Sequence, residues 1–292
     1  MVVWPLEGGL FQAYCAAQQH MRERQIMDAS VKPYQQVQTL TLKGKKGLVV
    51  GIANDQSIAY GCAKHCRAYG AELAVTYLNE KAEKFVRPLA ESLDAPIFMP
   101  LDVQKEGELE AVFAEIEKTW GKLDFVIHSI AFANKDDLHG RVTDCSRDGF
   151  MMAMDVSCHS FMRMGKLAEP LMKDGGCLMT ISFYGGRKVV EHYNVMGPVK
   201  AALEASTKYM AAELGEKGIR VVALSPGPLK TRAASGIAHF DELMEAAAAK
   251  APTHQLATID DCGSFAAYLV SDLARSVTGT TLFVDGGYHI VG

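Results

Sequence analysis

The sequence has little of what marks nucleic-acid-binding, membrane or secreted proteins. Its 30 Lys and Arg residues are outnumbered by 34 Asp and Glu residues and form no polybasic block, so the clustered cations that bind nucleic-acid phosphates are missing. No apolar run reaches the roughly 20 residues that a membrane-spanning helix needs. The seven cysteines form no CxxC pair, which favours reduced thiols in a cytoplasmic protein over a disulfide scaffold.

A metal site is also poorly supported by the sequence. Cys62, His65 and Cys66 fall on one predicted helix, but that stretch offers no further ligands to complete a metal centre. We therefore interpret the two cysteines as packing residues and predict no metal.

The first 42 residues differ in composition from the rest of the chain. They lack the apolar core and small-residue cleavage pattern of a secretory signal. We expect residues 1–42 to be a poorly ordered extension and residues 43–292 to form a single domain.

From Lys43 onward, short apolar runs alternate with helical patterns. The runs are continuously apolar, as in strands that are covered on both faces. This pattern predicts an α/β fold, a doubly wound parallel sheet of the Rossmann type with substrate-binding helices over its C-terminal edge. The predicted strands are 47–52, 71–77, 96–103, 123–133, 175–183, 219–228 and 280–287.

The first strand-to-helix turn, "GIANDQSIAYG", would face the pyrophosphate of a dinucleotide. The strict GxGxxG pattern is absent, although Gly51 and Gly61 remain. Ser57 lies just before an apolar helix, where its hydroxyl could cap the helix or touch a phosphate.

The next strand ends supply further cofactor candidates. Leu78 follows the second strand, where NAD enzymes often place an acid and NADP enzymes an arginine. No cation is adjacent, and Lys81 lies three residues on, so NADH is favoured. Asp102, after the third strand, could accept a hydrogen bond from an adenine amino group or cap the next helix.

The stretch "HYNVMGPVK" places Tyr193 and Lys200 seven residues apart. On a helix, seven residues advance about 700°, so the two side chains would share one face about 10 Å apart along the axis. A nearby ammonium would favour the phenolate and help a tyrosine to act on a developing oxyanion. The alternative is an ordinary surface pair, and Pro198 would perturb the first turns or delay the helix start.

The chain from about Lys43 to its end resembles the NADH-dependent enoyl-[acyl-carrier-protein] reductases of the short-chain dehydrogenase/reductase superfamily. The motifs that carry the resemblance are "GIANDQSIAYG", "LDV", "HSIAFA", "YNVMGPVKAALEAS", "SPGPLKTRAASGI" and "VDGG". The six-residue gap between Tyr193 and Lys200 distinguishes this family from ordinary superfamily members, which use a three-residue gap.

The resemblance implies that NADH reduces a trans-2-enoyl thioester on an acyl-carrier protein, in a cytoplasmic homotetramer. Tyr193 would bind the thioester carbonyl, Lys200 the nicotinamide ribose, and Tyr184 would be a second active-site aromatic. Ala133 would line the acyl site. The implied cofactor contacts are Gly51, Ser57, Ile58, Leu78, Asp102, Val103, Ile130, Lys200, Leu229, Lys230, Thr231, Arg232 and Ala233.

One segment departs from the family pattern. Members often carry basic residues after "ASGI", whereas this chain has "AHFDELMEAAAAK" from Ala238 to Lys250. We predict a helix there, with Phe240, Leu243 and Ala247 on an apolar face toward the acyl chain and an acidic opposite face.

Two other functions remain open. One is a carbonyl or alcohol dehydrogenase of the same fold, with Ser182 as its serine, but Gly197 stands where such an enzyme needs lysine. The other is a non-catalytic dinucleotide-binding regulator, against which the retention of both Tyr193 and Lys200 argues.

Overall fold

The computed structural model describes residues 38–231 and 240–291. Most of the predicted N-terminal extension, residues 1–37, lies outside the described residues. So do Arg232 and Ala233, and the first two positions of the helix predicted at 238–250.

Seven strands form one parallel sheet, as the alternating pattern predicts, and their order is β3-β2-β1-β4-β5-β6-β7. The chain runs outward from β1 in one direction and returns to start β4 on its other side, so the sheet has a switch point between β1 and β4. The strands are β1 (Lys46–Val50), β2 (Glu72–Tyr77), β3 (Ile97–Pro100), β4 (Phe125–His128), β5 (Gly176–Ile181), β6 (Ile219–Pro226) and β7 (Thr280–Val284).

Helices follow the strands and cover both faces of the sheet. Sequence patterns did not single out the long helical region after β4 or the helix before β7. The helices are α1 (Ile58–Ala68), α2 (Glu80–Ser92), α3 (Glu108–Trp120), α4 (Lys135–His139), α5 (Arg147–Met154), α6 (Ser160–Ala168), α7 (Met196–Leu214), α8 (Phe240–Lys250) and α9 (Ile259–Val270). A π-helical turn, Asp155–His159, joins α5 to α6.

The sheet separates two apolar layers. On one face Cys62 and Cys66 of α1 pack with Cys262 of α9, against alternate residues of the strands. On the other face Leu109 of α3 and Leu203 of α7 belong to the second cluster. Burial of both sheet faces explains the continuously apolar strands.

Because the two apolar layers cover both faces of the sheet, a ligand can reach the sheet only at its open edge. All strands are parallel, so their carboxyl ends meet at one edge. Within the described ranges, no helix has the length and apolarity needed to cross a membrane.

Candidate active site

The turn after β1 is organised by Ser57. Its Oγ accepts the N–H groups of Ala53 and Asn54, each at 3.0 Å, and it makes no side-chain capping bond to α1. The N–H groups of Tyr60 and Gly61 bind the Ser57 carbonyl, whereas the earlier N–H groups of a helix have no intrahelical partner. Ser57 therefore shapes the turn, and the start of α1 at Ile58 presents N–H groups that suit an anion.

Gly51 permits a close approach between the ends of β1 and β4. Its φ is +111°, and a Cβ atom there would lie 2.1 Å from the Ser129 carbonyl oxygen and 3.2 Å from Cγ2 of Ile130. Only glycine fits this position. The two predicted cofactor residues Gly51 and Ile130 thus lie side by side.

The ends of β2 and β3 hold the remaining predicted contacts of this half. Leu78 is 54 % exposed at the edge, with no cation beside it in sequence. Asp102 accepts the N–H of Gln104 at 3.1 Å, so its carboxylate shapes a turn and does not cap α3, whose N-cap is Gly107. Val103 is buried beside it.

Tyr193 and Lys200 do not share a helix, which corrects the prediction from their spacing. The helix α7 begins at Met196, after Tyr193. His192 and Asn194 adopt left-handed backbone conformations, with φ of 62° and 42°, and a continuous helix cannot pass through them. Pro198 occupies the third helical position, where its missing N–H costs no intrahelical bond, so the delayed start is the correct part of the prediction.

Tyr193 is nonetheless held firmly at the edge. Its ring lies 4.8 Å from the ring of Phe183, and a Cβ atom on Gly185 would lie 2.4 Å from Cδ1 of Tyr193. Ala133, the predicted acyl-site residue, packs against the same buried cluster. The structure therefore brings Tyr193 and Ala133 to one place.

The pKa of Tyr193 moves in the opposite direction to the one predicted. The side chain is 7 % exposed, and burial raises the pKa of its phenol. Desolvation of the phenolate therefore outweighs any effect of the Lys200 ammonium. Tyr193 is a protonated phenol at neutral pH, which suits it to donate a hydrogen bond to an oxyanion.

Lys200 is buried where α7 crosses the end of β5. Its side chain is 5 % exposed, and Nζ donates to the carbonyl of Ile181 at 2.7 Å. Burial lowers the pKa of Lys200 to about 8. The ammonium is therefore the main form at neutral pH, with donors left for a ligand hydroxyl.

Tyr184 follows β5 and is also buried. Its ring lies 5.3 Å from that of Tyr288 in the C-terminal turn, and the Nζ atom of Lys188 lies 5.6 Å above it. Sequence reasoning identified Tyr184 but missed Tyr288. The "VDGG" turn just before Tyr288 was the available signal.

The segment after β6 reaches the same edge. Leu229 packs against the core, and the N–H of Thr231 donates to the Leu229 carbonyl at 2.8 Å. Lys230 lies 3.7 Å from Asp241 of α8 in an exposed ion pair. The predicted helix is present as α8, in which Ala247 is buried, and its position over the acyl site stays a prediction.

Two buried polar groups near Lys200 escaped the sequence analysis. Glu204 lies one turn further along α7 and is 5 % exposed. His128, at the end of β4, is fully buried, and burial together with the Lys200 charge lowers its pKa to about 3. His128 is therefore neutral and bonds Thr180 and Ser160, each at 2.8 Å. Helical spacing from Lys200 was the one signal for Glu204.

The arrangement fits a dinucleotide across the switch point. The start of α1 suits a pyrophosphate, and Gly51 lies beside it at the switch point of the sheet. Tyr193 supplies a phenol in the cluster that Ala133 packs against, and Lys200 supplies an ammonium at the end of β5. Such a site can hold a reduced nicotinamide next to an acyl group and stabilise a negative oxygen.

Comparisons with known proteins agree with this geometry. Residues 51–289 match the family model described as enoyl-(acyl carrier protein) reductase. Enoyl-[acyl-carrier-protein] reductase [NADH] 1 of Rhizobium meliloti is 47 % identical over 251 residues, which cover 86 % of this chain and 92 % of that protein.

Solved structures show the same likeness. The enoyl-(acyl-carrier-protein) reductase of Anaplasma phagocytophilum, solved with NAD, superposes with a TM-score of 0.83 at 48 % identity and covers 88 % of this chain and 98 % of that one. The Bacillus cereus enoyl-acyl carrier protein reductase, solved with NADP+ and indole naphthyridinone, gives 0.84 at 43 % identity, with 87 % and 100 % covered.

Proposed function

The chain belongs to the enoyl-(acyl-carrier-protein) reductase family, and we propose that Tyr193 and Lys200 carry out its reaction. The protein is an NADH-dependent reductase of fatty-acid synthesis that reduces enoyl thioesters to saturated acyl thioesters. The observation that carries the assignment of the two residues is their placement. A buried phenol and a buried ammonium meet the sheet edge beside Ala133 and the end of β5.

Bound NADH would supply the hydride that adds to Cβ of the enoyl chain. The turn at Gly51 and Ser57 and the start of α1 at Ile58 hold its pyrophosphate, and Lys200 donates to the nicotinamide ribose. Val103 and Ile130 would lie against the adenosine and nicotinamide halves, and Leu229 and Thr231 would close the site from the β6 side. Arg232 and Ala233, which the resemblance also assigns to the cofactor, lie outside the described residues.

Tyr193 acts on the substrate oxygen. As the hydride reaches Cβ, the electron pair of the double bond moves and negative charge builds on the thioester oxygen. The Tyr193 phenol donates a hydrogen bond to that oxygen and so stabilises the enolate. A proton from water then reaches Cα, which gives the saturated thioester. Tyr184 and Ala133 line the acyl side.

The position of Ser182 argues against a carbonyl reductase. Its Oγ is turned toward α7, where it donates to Glu204 at 2.8 Å, and the residue is 2 % exposed. A serine hydroxyl that donates its hydrogen bond to Glu204 does not point at a substrate carbonyl. The alternative function would need it there.

The test compares NADH oxidation with trans-2-enoyl thioesters and with a panel of ketones. We expect turnover with the thioesters, one saturated product formed for each NADH consumed, and none with the ketones. Turnover with ketones alone would support the carbonyl dehydrogenase, and NADH binding without turnover on either class would support a regulator.

We propose an acyl-carrier protein as the partner that delivers the substrate. The exposed side chains of α8 include Asp241 and Glu245, and Lys230 is already paired with Asp241. An acidic carrier would gain little attraction from this helix. Catalytic efficiency with a carrier-linked substrate should therefore fall only weakly as salt is raised. A steep fall that Lys250→Ala removes and Lys230→Ala does not would contradict this.

We propose a cytoplasmic homotetramer built from residues 43–292, with residues 1–42 as an extension. Phe150, Met151 and Met162 of the α5–α6 region and Tyr209 of α7 are exposed large hydrophobic residues, and Tyr209 is 80 % exposed. Exposed large hydrophobic residues of this kind are typical of interfaces between copies, and Met162 and Tyr209 line one surface groove. Light scattering at micromolar concentration should give four times the chain mass, whereas a monomer would contradict the proposal.

A further inference from the structure

Glu204 is a buried carboxylate with both oxygens engaged. Ser182 Oγ donates to Oε1 at 2.8 Å, and Arg187 Nε donates to Oε2 at 2.7 Å. The Glu204 side chain is 7 % exposed, against 43 % for Arg187. A carboxylate that is buried at this depth is costly unless it is paired, so the two donors and the acid form one unit.

This unit joins the two elements that carry the proposed reaction. Glu204 lies on α7 one turn after Lys200, while Ser182 and Arg187 flank Tyr184 in the segment after β5. Lys200 makes a third bond between the same two elements, to the Ile181 carbonyl.

The backbones of these elements also approach closely. A Cβ atom on Gly186 would lie 3.0 Å from the amide nitrogen of Ala201 and 3.1 Å from Cβ of Lys200. Small displacements of the segment would therefore reach Lys200 directly.

We propose that Glu204 is a positioning residue for the reaction. Through Ser182 and Arg187 it holds the segment after β5 against α7, so that Lys200 meets the ribose with its charge and Tyr184 keeps its place. This inference rests on the function of Lys200 proposed above. Glu204 itself touches neither substrate nor cofactor.

The charge of Glu204 gives the proposal an electrostatic signature. The titratable groups around Lys200 are His128 of β4, Cys158 of the π-helical turn and Glu204 of its own helix. Burial lowers the pKa of Lys200 to about 8, while Cys158 and Glu204 act to raise it. His128 is neutral, and burial raises the pKa of the Cys158 thiol, so at neutral pH Glu204 supplies the negative charge among these three groups.

Two substitutions should move the pH at which NADH affinity is lost, one to a lower and one to a higher value. The charged form of Lys200 dominates below its pKa, so NADH affinity is lost as the pH rises through that value. Glu204→Gln keeps the size and an acceptor for Ser182 but removes the charge, so this loss should occur at a lower pH. Arg187→Gln leaves the carboxylate without its cation, so the loss should occur at a higher pH.

The measurement is the NADH dissociation constant, from nucleotide fluorescence, between pH 6 and 10. At pH 7 we expect Glu204→Gln to weaken NADH binding by about tenfold, the scale of one charge-assisted hydrogen bond. The reason is that Lys200 then carries less charge and the segment after β5 loses its ion pair to α7. Ser182→Ala should weaken NADH less and leave the pH midpoint in place. Glu115→Gln is the matched control, because it breaks an ion pair within α3 that contacts none of the proposed site residues that the structure describes. In that pair Nζ of Lys118 lies 3.1 Å from Oε2 of Glu115, and the variant should behave as wild type.

The midpoint is the pH at which half of the NADH affinity is lost. The proposal would be overturned if folded Glu204→Gln kept the wild-type midpoint and affinity. It would also be overturned if the midpoints of Glu204→Gln and Arg187→Gln moved in the same direction. If Glu204→Gln does not fold, the midpoint of Arg187→Gln alone decides, since a merely structural contact would not raise it. Lys200→Ala separates the two levels of the argument. Unchanged NADH affinity in Lys200→Ala would contradict the proposed role of Lys200 in binding the ribose. Weaker NADH binding in Lys200→Ala, with no effect in Glu204→Gln and Arg187→Gln, would contradict only the proposed role of Glu204.

Discussion

The turn after β1 and the segment between β5 and α7 lie at the same edge of the sheet, but they are built differently. The turn is closed by bonds between near neighbours, as when Ser57 accepts the N–H groups of Ala53 and Asn54. The second segment is held by distant partners. Lys200 reaches Ile181 across 19 positions, and Ser182 reaches Glu204 across 22.

The difference separates two tasks. A pyrophosphate needs backbone N–H groups in a fixed turn, which a short local sequence can supply. The chemical step needs a phenol and an ammonium that are both withdrawn from water, and only packing between distant elements provides that. The turn should therefore respond to substitution through its backbone, and the second segment through its side-chain charges and hydroxyls.

Lys200→Ala should have the largest effect of these substitutions, because it removes the ammonium that α7 contributes to the site. Loss of a charge-assisted bond to the ribose costs up to ~3 kcal/mol, or about a hundredfold in NADH affinity, and turnover should fall to nearly nothing. Isothermal titration with NADH and a steady-state assay check this. Wild-type affinity together with wild-type turnover would show that Lys200 has only a structural role.

Gly51→Ala should break the turn through the backbone alone. The Cβ atom would meet the Ser129 carbonyl at 2.1 Å in a residue with φ of +111°, so we expect a stability loss of about 2–3 kcal/mol. Gly44→Ala is the matched control, because its φ is +81° and no atom lies within 4 Å of the added Cβ. It should lose about 1 kcal/mol. Equal losses in urea unfolding would mean that the close approach to β4 has no consequence.

The same contrast explains how much the sequence could predict. The parallel sheet and the helix now seen as α8 follow from local patterns, and both are confirmed, whereas the helices between β4 and β5 and the helix α9 were not predicted. The shared helical face of Tyr193 and Lys200 was wrong, because the seven-residue spacing presumes a regular helix and Asn194 interrupts it. The direction of the Tyr193 pKa was wrong because it depends on burial, which a linear sequence does not record. Glu204 was missed for the same reason, since its partners are distant in sequence.

Leu78→Arg should have a smaller effect, on the preference between NADH and NADPH. Leu78 is 54 % exposed where β2 ends, and a cation there would meet a ribose 2′-phosphate. We expect the ratio of catalytic efficiencies for NADPH over NADH to rise about tenfold, equivalent to roughly 1.4 kcal/mol. Leu78→Gln, which adds no charge, is the control. An equal rise in both variants would show that charge is not the cause.

The most direct test of the central claim is the single-turnover rate of NADH oxidation by Tyr193→Phe, measured with saturating NADH and an enoyl thioester. The substitution removes only the hydroxyl and keeps the ring that packs on Phe183. We expect a rate about a hundredfold lower, as for the loss of one oxyanion donor at ~3 kcal/mol, with the NADH dissociation constant unchanged. A wild-type rate would contradict it and make Tyr193 a packing residue.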